Sequence, residues 1–235
     1  MRFAEKNGQR ILPNPFEKNA VCPLCKEEVI SKCGEIKIWH WAHKSNNDCD
    51  NWGGRETAWH LNWKGEFPEE TQEVIIGKHR ADVKIQDIVL EFQSSSISLE
   101  KIKEREEFYD RMIWILNGGV FAENLCLRDN KGFKSFRWKW PPNAWLNATR
   151  PIYVDLQPLV DKWIKSLSLP DREPTENGYL DRTKWKENLR KEILEYSGKL
   201  FLIKKVYNSL PCGGWGKLIT KEDFLRNINN GYYRD

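Results

Sequence analysis

The 235-residue sequence has no apolar run near the roughly 20 residues that a membrane-spanning helix needs. Its opening stretch, MRFAEKNGQRILPNPF, lacks the apolar segment of a signal peptide. It has no internal repeat and no long low-complexity tract, so neither a solenoid nor an extended disordered linker is expected. Charge of one sign is scarce too. Thirty-eight Lys and Arg against 34 Asp and Glu leave +4, which permits a nucleic-acid partner without demanding one. The expectation is a soluble, cytoplasmic protein with no membrane partner.

What is present is the composition of a globular chain, 40% hydrophobic and 31% charged. In a reducing compartment the six Cys are expected as metal ligands or buried thiols rather than disulfides. Four of them, with two of the four His, fall between Cys22 and Cys49. Cys22-Pro-Leu-Cys25 is a CxxC knuckle, and His40-Trp-Ala-His43 and Cys49 follow. Zinc takes four sulfur or imidazole ligands in a tetrahedron, which two facing knuckles can supply. Cys22, Cys25 and His43 enter either arrangement. The fourth ligand is His40 or Cys49, and Cys33 could displace one of the set. Cys126 and Cys212 are expected to be buried thiols.

The chain reads as a zinc-binding module over residues 1–52, a second domain over 53–156, and a helical region of unassigned role over 157–235. NNDCDNWGG (46–54) is the expected linker. A helix from Arg55 to about Phe67 stops at Pro68. Three strands follow, TQEVIIG (71–77), HRADVKI (79–85) and IVLEFQ (88–93). A charged helix over 98–110, with Ser98 as its N-cap, precedes the apolar strand MIWILNG (112–118). RPIYVDL (150–156) is a further strand, and PCGGWGK (211–217) a turn.

Two acids interrupt the hydrophobic strands. If Gln86-Asp87 is a two-residue hairpin loop, Ile85 pairs with Ile88 and Asp82 lies across from Glu91. Facing carboxylates have Cβ atoms about 5 Å apart and destabilise the sheet unless something offsets them. Mg²⁺, which takes one or two carboxylates and completes its shell with water and phosphate, is the obvious candidate. On the preceding helix Glu56, His60 and Lys64 recur every four residues and share a face.

As an ordered set, CPLC (22–25), HWAH (40–43), ETAWHLNWK (56–64), HRADV (79–83) and EFQSSSIS (91–98), with Arg105 and Tyr109, resemble the competence protein CoiA-like family. The resemblance implies an α+β (α/β) fold: a zinc-finger-like module, then a restriction-endonuclease-like PD-(D/E)xK core of helix, three-strand meander, helix and strand. It implies Asp82 and Glu91 as ligands of a catalytic Mg²⁺ or Mn²⁺, with Glu56 assisting from the helix. Gln93 stands where that superfamily usually has Lys. Gln can hydrogen-bond water or phosphate but supplies no cation. Lys64 or Arg80 could supply the charge, His60 could support the site, and Ser94, Ser96 and Arg105 could contact phosphate. The function implied is DNA cleavage or processing, alongside recombination or DNA-processing proteins. A DNA-binding protein without turnover and a protein-partner module are the alternatives.

FKSFRWKWPPNAW (133–145) interleaves aromatic and basic residues and could stack single-stranded bases, with Arg137, Trp138 and Lys139 as contacts. Its alternation, with Phe136, Trp138 and Trp140 on one side and Arg137 and Lys139 on the other, favours a half-buried strand instead.

Overall fold

Strand-period apolar residues and the unbroken registers of a three-strand meander position the acids of the candidate site. In the computed structural model, described over residues 1–45, 49–52, 56–139, 143–167, 182–207 and 212–231, the fold is mixed α and β. The chain divides into two units: Met1–Phe92 with Tyr109–Met112, and Gln93–Phe108 with Ile113–Asp235.

The first unit opens with five short strands, β1 (Ala4–Lys6), β2 (Gln9–Ile11), β3 (Ala20–Val21), β4 (Glu28–Lys32) and β5 (His40–His43). They form one sheet in the order β2-β1-β3-β4-β5. Its small core is Ala4, Ala20, Cys22, Val29 and Trp41, and Trp41 Nε1 donates to the Ile11 carbonyl at 3.1 Å. Helix α1 (Ala58–Lys64) and the meander β6 (Gln72–Ile76), β7 (His79–Ile85) and β8 (Ile88–Gln93) follow. The β7–β8 register is the expected one, with Ile85 on Ile88 and Val83 on Leu90. Gln86 in the loop takes φ 53°, the left-handed geometry that a two-residue hairpin requires. In β7 the odd positions are buried and the even ones half-buried, so Asp82 lies on the wetter face.

The second unit holds α2 (Leu99–Phe108), whose Ser98 Oγ accepts from Lys101 N at 3.3 Å, then β9 (Met112–Asn117) and the short α3 (Gly118–Phe121). Next come β10 (Leu125–Asn130), β11 (Phe133–Trp138), β12 (Ile152–Asp155) and α4 (Gln157–Leu167). The last elements are α5 (Arg182–Leu194), β13 (Lys199–Tyr207), β14 (Cys212–Thr220) and α6 (Lys221–Asn229). Its strands run β10-β11-β14-β13-β12-β9, with β12 parallel to β9 and the other pairs antiparallel. The expected chain order of helix, three strands, helix and strand is therefore found.

Residues 157–235 are not simply helical, because β13 and β14 form a hairpin of two nine-residue strands. The glycines read as a turn lie inside β14. A Cβ on Gly214 would come within 1.9 Å of the Lys205 carbonyl oxygen, and one on Gly216 within 2.2 Å of the Leu202 carbonyl oxygen. Glycine there marks close approach of neighbouring strands, not a reversal. The expected boundaries at 52 and 156 differ from the observed division, and side chains of the first unit explain the former. Glu73 Oε1 and Oε2 each accept from Arg2 N at 3.0 Å, joining the meander to the N-terminal strands.

Candidate functional site

The CxxC turn closes on itself. Cys22 N donates to the Glu27 carbonyl at 2.8 Å and Lys26 N to the Cys22 carbonyl at 2.9 Å, with Lys26 at φ 63°. His43 ends β5. The Cys22 and Cys49 sulfurs are 3.7 Å apart, and the Cys25 sulfur is 3.2 Å from His43 Nε2. The four ligand atoms all lie within 4.8 Å of one another. Tetrahedral zinc with Zn–S near about 2.3 Å puts its sulfurs about 3.8 Å apart, so donor set and spacing fit zinc. Burial, with the adjacent Cys22 thiol, pushes Cys49 up to about 12. Thiols crowded in this way ionise together only around a cation.

Cys49 rather than His40 thus completes the cluster. The His40 ring donates from Nδ1 to the Ile38 carbonyl at 2.8 Å. Cys33 sits 2.9 Å from Ser31 Oγ and is not among the four. Cys212 is buried as expected, but Cys126 is exposed, because β10 points it away from the core.

The next residue carries the cluster toward the meander. Asp50 is 3% exposed, and its carboxylate accepts from His79 Nδ1 and Arg80 N, both at 2.9 Å, and from Trp52 N at 3.0 Å. Trp52 stacks on the His79 ring, with centroids 3.3 Å apart. Of the expected linker, residues 49–52 are thus tied to the start of β7, while 46–48 and 53–54 lie outside the described residues.

Two residues further, the acids gather around an ammonium. Lys64 Nζ lies 2.6 Å from Glu56 Oε1, 3.1 Å from Glu73 Oε1 and 3.1 Å from Asp82 Oδ1. Arg80 Nε is 3.9 Å from Glu73 Oε2. Burial works against the charge on Lys64, but Glu73, Asp82 and Glu56 outweigh it and hold its pKa above the ordinary Lys value. Burial likewise opposes ionisation of Glu73 and Asp82, yet Lys64, joined by Arg80 at Glu73 and by His60 at Asp82, holds both below the usual carboxylate range. The Lys64 and Glu73 side chains are 5% and 4% exposed, against 16% for Glu56 and 22% for Asp82, so solvent reaches the cluster from its Asp82 and Glu56 side.

Glu73 was missed in the sequence, although a two-residue loop at Gly77-Lys78 sets it opposite Asp82. Gln72 pairs with Val83 and Val74 with Ala81, so Glu73 stands opposite Asp82 in an unbroken β6–β7 register. It sits at φ 47°, a left-handed conformation that costs a non-glycine residue about 1 kcal/mol or more. From there its carboxylate reaches Arg2 N and the Lys64 ammonium. Asp50 was missed as well, its only signal being an acid directly after a ligating cysteine.

The facing pair is present in an altered form. Asp82 Oδ2 accepts from Phe92 N at 3.0 Å, and Glu91 Oε1 from Asp82 N at 3.4 Å. Each carboxylate thus bonds the backbone of the facing strand, and the nearest cation to Asp82 is Lys64. His60 is fully employed. Thr57 N donates to its Nδ1 at 3.2 Å, so Nε2 carries the proton and donates to the Phe92 carbonyl at 3.1 Å. Burial lowers its pKa, and the neutral ring positions α1 against β8 rather than moving protons.

Gln93 ends β8, and its Nε2 donates to Ser95 O at 2.8 Å and to Ser95 Oγ at 3.2 Å. In the second unit Arg105 is buried, with its guanidinium 5.8 Å from the Trp114 ring centre. That placement does not suit a phosphate contact. Trp138 is 1% exposed and donates from Nε1 to the Phe121 carbonyl at 3.1 Å, so it is core and cannot stack bases. Arg137 and Lys139 are exposed, and Trp140 lies outside the described residues.

Residues 11–51 match the family described as Competence protein CoiA, N-terminal domain, and residues 73–137 match Competence protein CoiA, nuclease-like domain. The chain is CoiA-like. The first match contains all four residues of the Cys/His cluster, and the second contains Glu73, Asp82 and Glu91 but neither Glu56 nor Lys64. No curated protein and no solved structure matches the CoiA-like chain. Among its described residues no helix is long and apolar enough to cross a membrane.

Proposed function

We propose that this CoiA-like protein hydrolyses DNA phosphodiester bonds with Mg²⁺ or Mn²⁺ held at Asp82 and Glu91. The supporting observation is the Lys64 ammonium 3.1 Å from Asp82. Gln93 brings no charge, and Lys64 supplies from α1 the cation that this strand lacks. A divalent cation bound to the carboxylates would acidify a water and stabilise charge on the scissile phosphate. Lys64, fixed by Glu56 and Glu73, keeps a proton and a positive charge beside Asp82 through the reaction, which stabilises developing negative charge without reorganisation. Glu73 is a positioning residue. It aims Lys64 and meets no substrate itself.

The test is cleavage of labelled single- and double-stranded DNA with Mg²⁺ or Mn²⁺ by protein that retains its zinc. Asp82→Ala and Lys64→Met are each expected to lower the rate by at least about a hundredfold. Wild-type protein without cleavage would overturn the proposal.

A second reading, DNA binding without turnover, is favoured by one observation. Lys64 already offsets the carboxylates that a metal would need, and Gln93 is turned to Ser95. It predicts salt-sensitive DNA binding that Asp82→Ala leaves intact, with no cleavage.

A further inference from the structure

The aromatic and basic residues of 133–139 part company across the second unit's sheet. Phe136 and Trp138 go to the core, where Phe136 packs on Phe201 with ring centres 5.7 Å apart. Phe133, Ser135 and Arg137 go to the other face. The strand registers assemble that face. One row across it is Arg128, Ser135, Trp215 and Lys205, and the next is Cys126, Arg137, Gly213 and Tyr207. Tyr207 is 51% and Phe133 41% exposed, and Trp215 is half-buried with its ring edge-on to Phe133 at 5.9 Å. Arg128, Arg137, Lys205 and Lys217 are exposed on the same side, and none of the described residues facing that way on these four strands is Asp or Glu.

We infer that this open β10–β11–β14–β13 face binds single-stranded DNA, with Trp215, Tyr207 and Phe133 stacking bases and Arg128, Arg137 and Lys205 holding phosphates. Stacking on aromatic rings accepts any base and needs it unpaired, so a single strand fits and a duplex does not. Gly213 carries no side chain between Arg137 and Tyr207, which leaves the backbone as the floor beside the Tyr207 and Trp215 rings. Successive rows lie about 6.8 Å apart along a strand, so aromatic and cationic groups alternate along the path that an extended chain would take. Four cations without a facing carboxylate complement a polyanion and repel a basic surface. Half of the face, on β13 and β14, lies beyond both family matches.

The choice of DNA rests on the nuclease-like reading above, and the face itself rests on the registers. The experiment is fluorescence anisotropy of a labelled oligonucleotide, as single-stranded DNA, duplex DNA and single-stranded RNA, with the full chain and no added Mg²⁺. Trp215→Ala and Tyr207→Ala are each expected to weaken single-strand binding about tenfold. Arg128→Glu/Lys205→Glu is expected to reduce the slope of log affinity against log salt by roughly 0.7 for each phosphate that the variant no longer holds. These two cations are exposed, so the charge variant keeps the test valid if Trp215→Ala does not fold.

Binding unchanged in the folded variants, a stronger affinity for duplex or RNA, or no binding of any nucleic acid would each overturn the assignment. Cleavage is scored separately. Asp82-dependent cleavage with unaffected surface variants would sink this face alone. Surface-dependent binding without cleavage would sink the nuclease alone.

Discussion

Removing the buried ammonium tests the whole acidic cluster. Lys64→Met keeps length and apolar volume but leaves Glu56, Glu73 and Asp82 without the charge now 2.6–3.1 Å away. Stripping one partner from a buried ion pair costs about 3–5 kcal/mol. Three features favour the lower end. Glu73 keeps Arg2 N, Asp82 keeps Phe92 N, and Asp82 is 22% exposed. The expected loss at pH 7 is about 3 kcal/mol, a shift of about 1–3 M in the urea midpoint at m-values of about 1–3 kcal/mol/M. Tryptophan fluorescence reads it, since Trp59 and Trp63 lie on α1 itself.

The pH dependence supplies the sign. In the wild type Glu73 and Asp82 are depressed, so their contribution is present above the ordinary 4.5 and 3.8 and is lost as pH falls through the folded values. Lys64 is raised, so its contribution is present below 10.5 and is lost as pH rises through its folded value. Between those limits these groups leave wild-type stability flat. In the variant the Lys64 charge no longer offsets burial, so the carboxylates rise although Arg80 and Arg2 N at Glu73 and Phe92 N at Asp82 remain, and the deficit against wild type widens as pH climbs from about 5 to 7. A Lys64→Met protein within about 1 kcal/mol of wild type at pH 7, with the same pH dependence, would refute the cluster as drawn.

Three further outcomes are expected. Cys49→Ala should drop the metal content of purified protein well below one zinc per chain, and His40→Ala should leave it at one, as read by mass spectrometry of the metal. Asp50→Ala strands the His79 and Arg80 donors and should cost about 2–3 kcal/mol in urea unfolding; a change under about 0.5 kcal/mol would mean that the loop does not clamp β7. His60 should show a protonated Nε2 in ¹⁵N spectra at pH 7. Its lowered pKa adds stability that is present above the ordinary 6.5 and is lost as pH falls toward the folded value, so a ring that titrates at or above 6.5 contradicts its placement.

The legible features were local. Residues 79–93 form two strands about a two-residue loop, so the register and the proximity of Asp82 to Glu91 could be counted out in advance, whereas burial alternates in β7 but covers every position of β8. The CxxC knuckle and His43 were legible because ligand spacing is short-range, whereas choosing Cys49 over His40 needed the placement of Cys49 beside Cys22. Glu73 was overlooked although the same count applies to it: a two-residue loop at Gly77-Lys78 pairs Ile76 with His79 and sets Glu73 opposite Asp82. Lys64 was expected as a face-mate of Glu56 on one helix, but α1 begins at Ala58 and Glu56 reaches Lys64 from ahead of the Thr57 cap, while Glu73 and Asp82 reach it from two strands. The β13–β14 hairpin was missed because glycines that permit close strand approach read as a turn.

The sequence called for a cation at Asp82 and Glu91, and the structure places an ammonium against Asp82 and Glu73, which face each other across β6 and β7. That answer leaves room for a metal. A carboxylate offers about four lone-pair directions. Asp82 spends one on Lys64 through Oδ1 and one on Phe92 N through Oδ2, so each oxygen retains a direction. A ligand arriving from solvent meets Asp82 first, because Lys64 and Glu73 lie behind it at 5% and 4% exposure. Lys64 cannot leave without stranding Glu56 and Glu73, so a cation that joins Asp82 adds to the ammonium instead of replacing it. Both positive charges would then border the most exposed carboxylate of the cluster, where the proposed hydrolysis would place the developing negative charge.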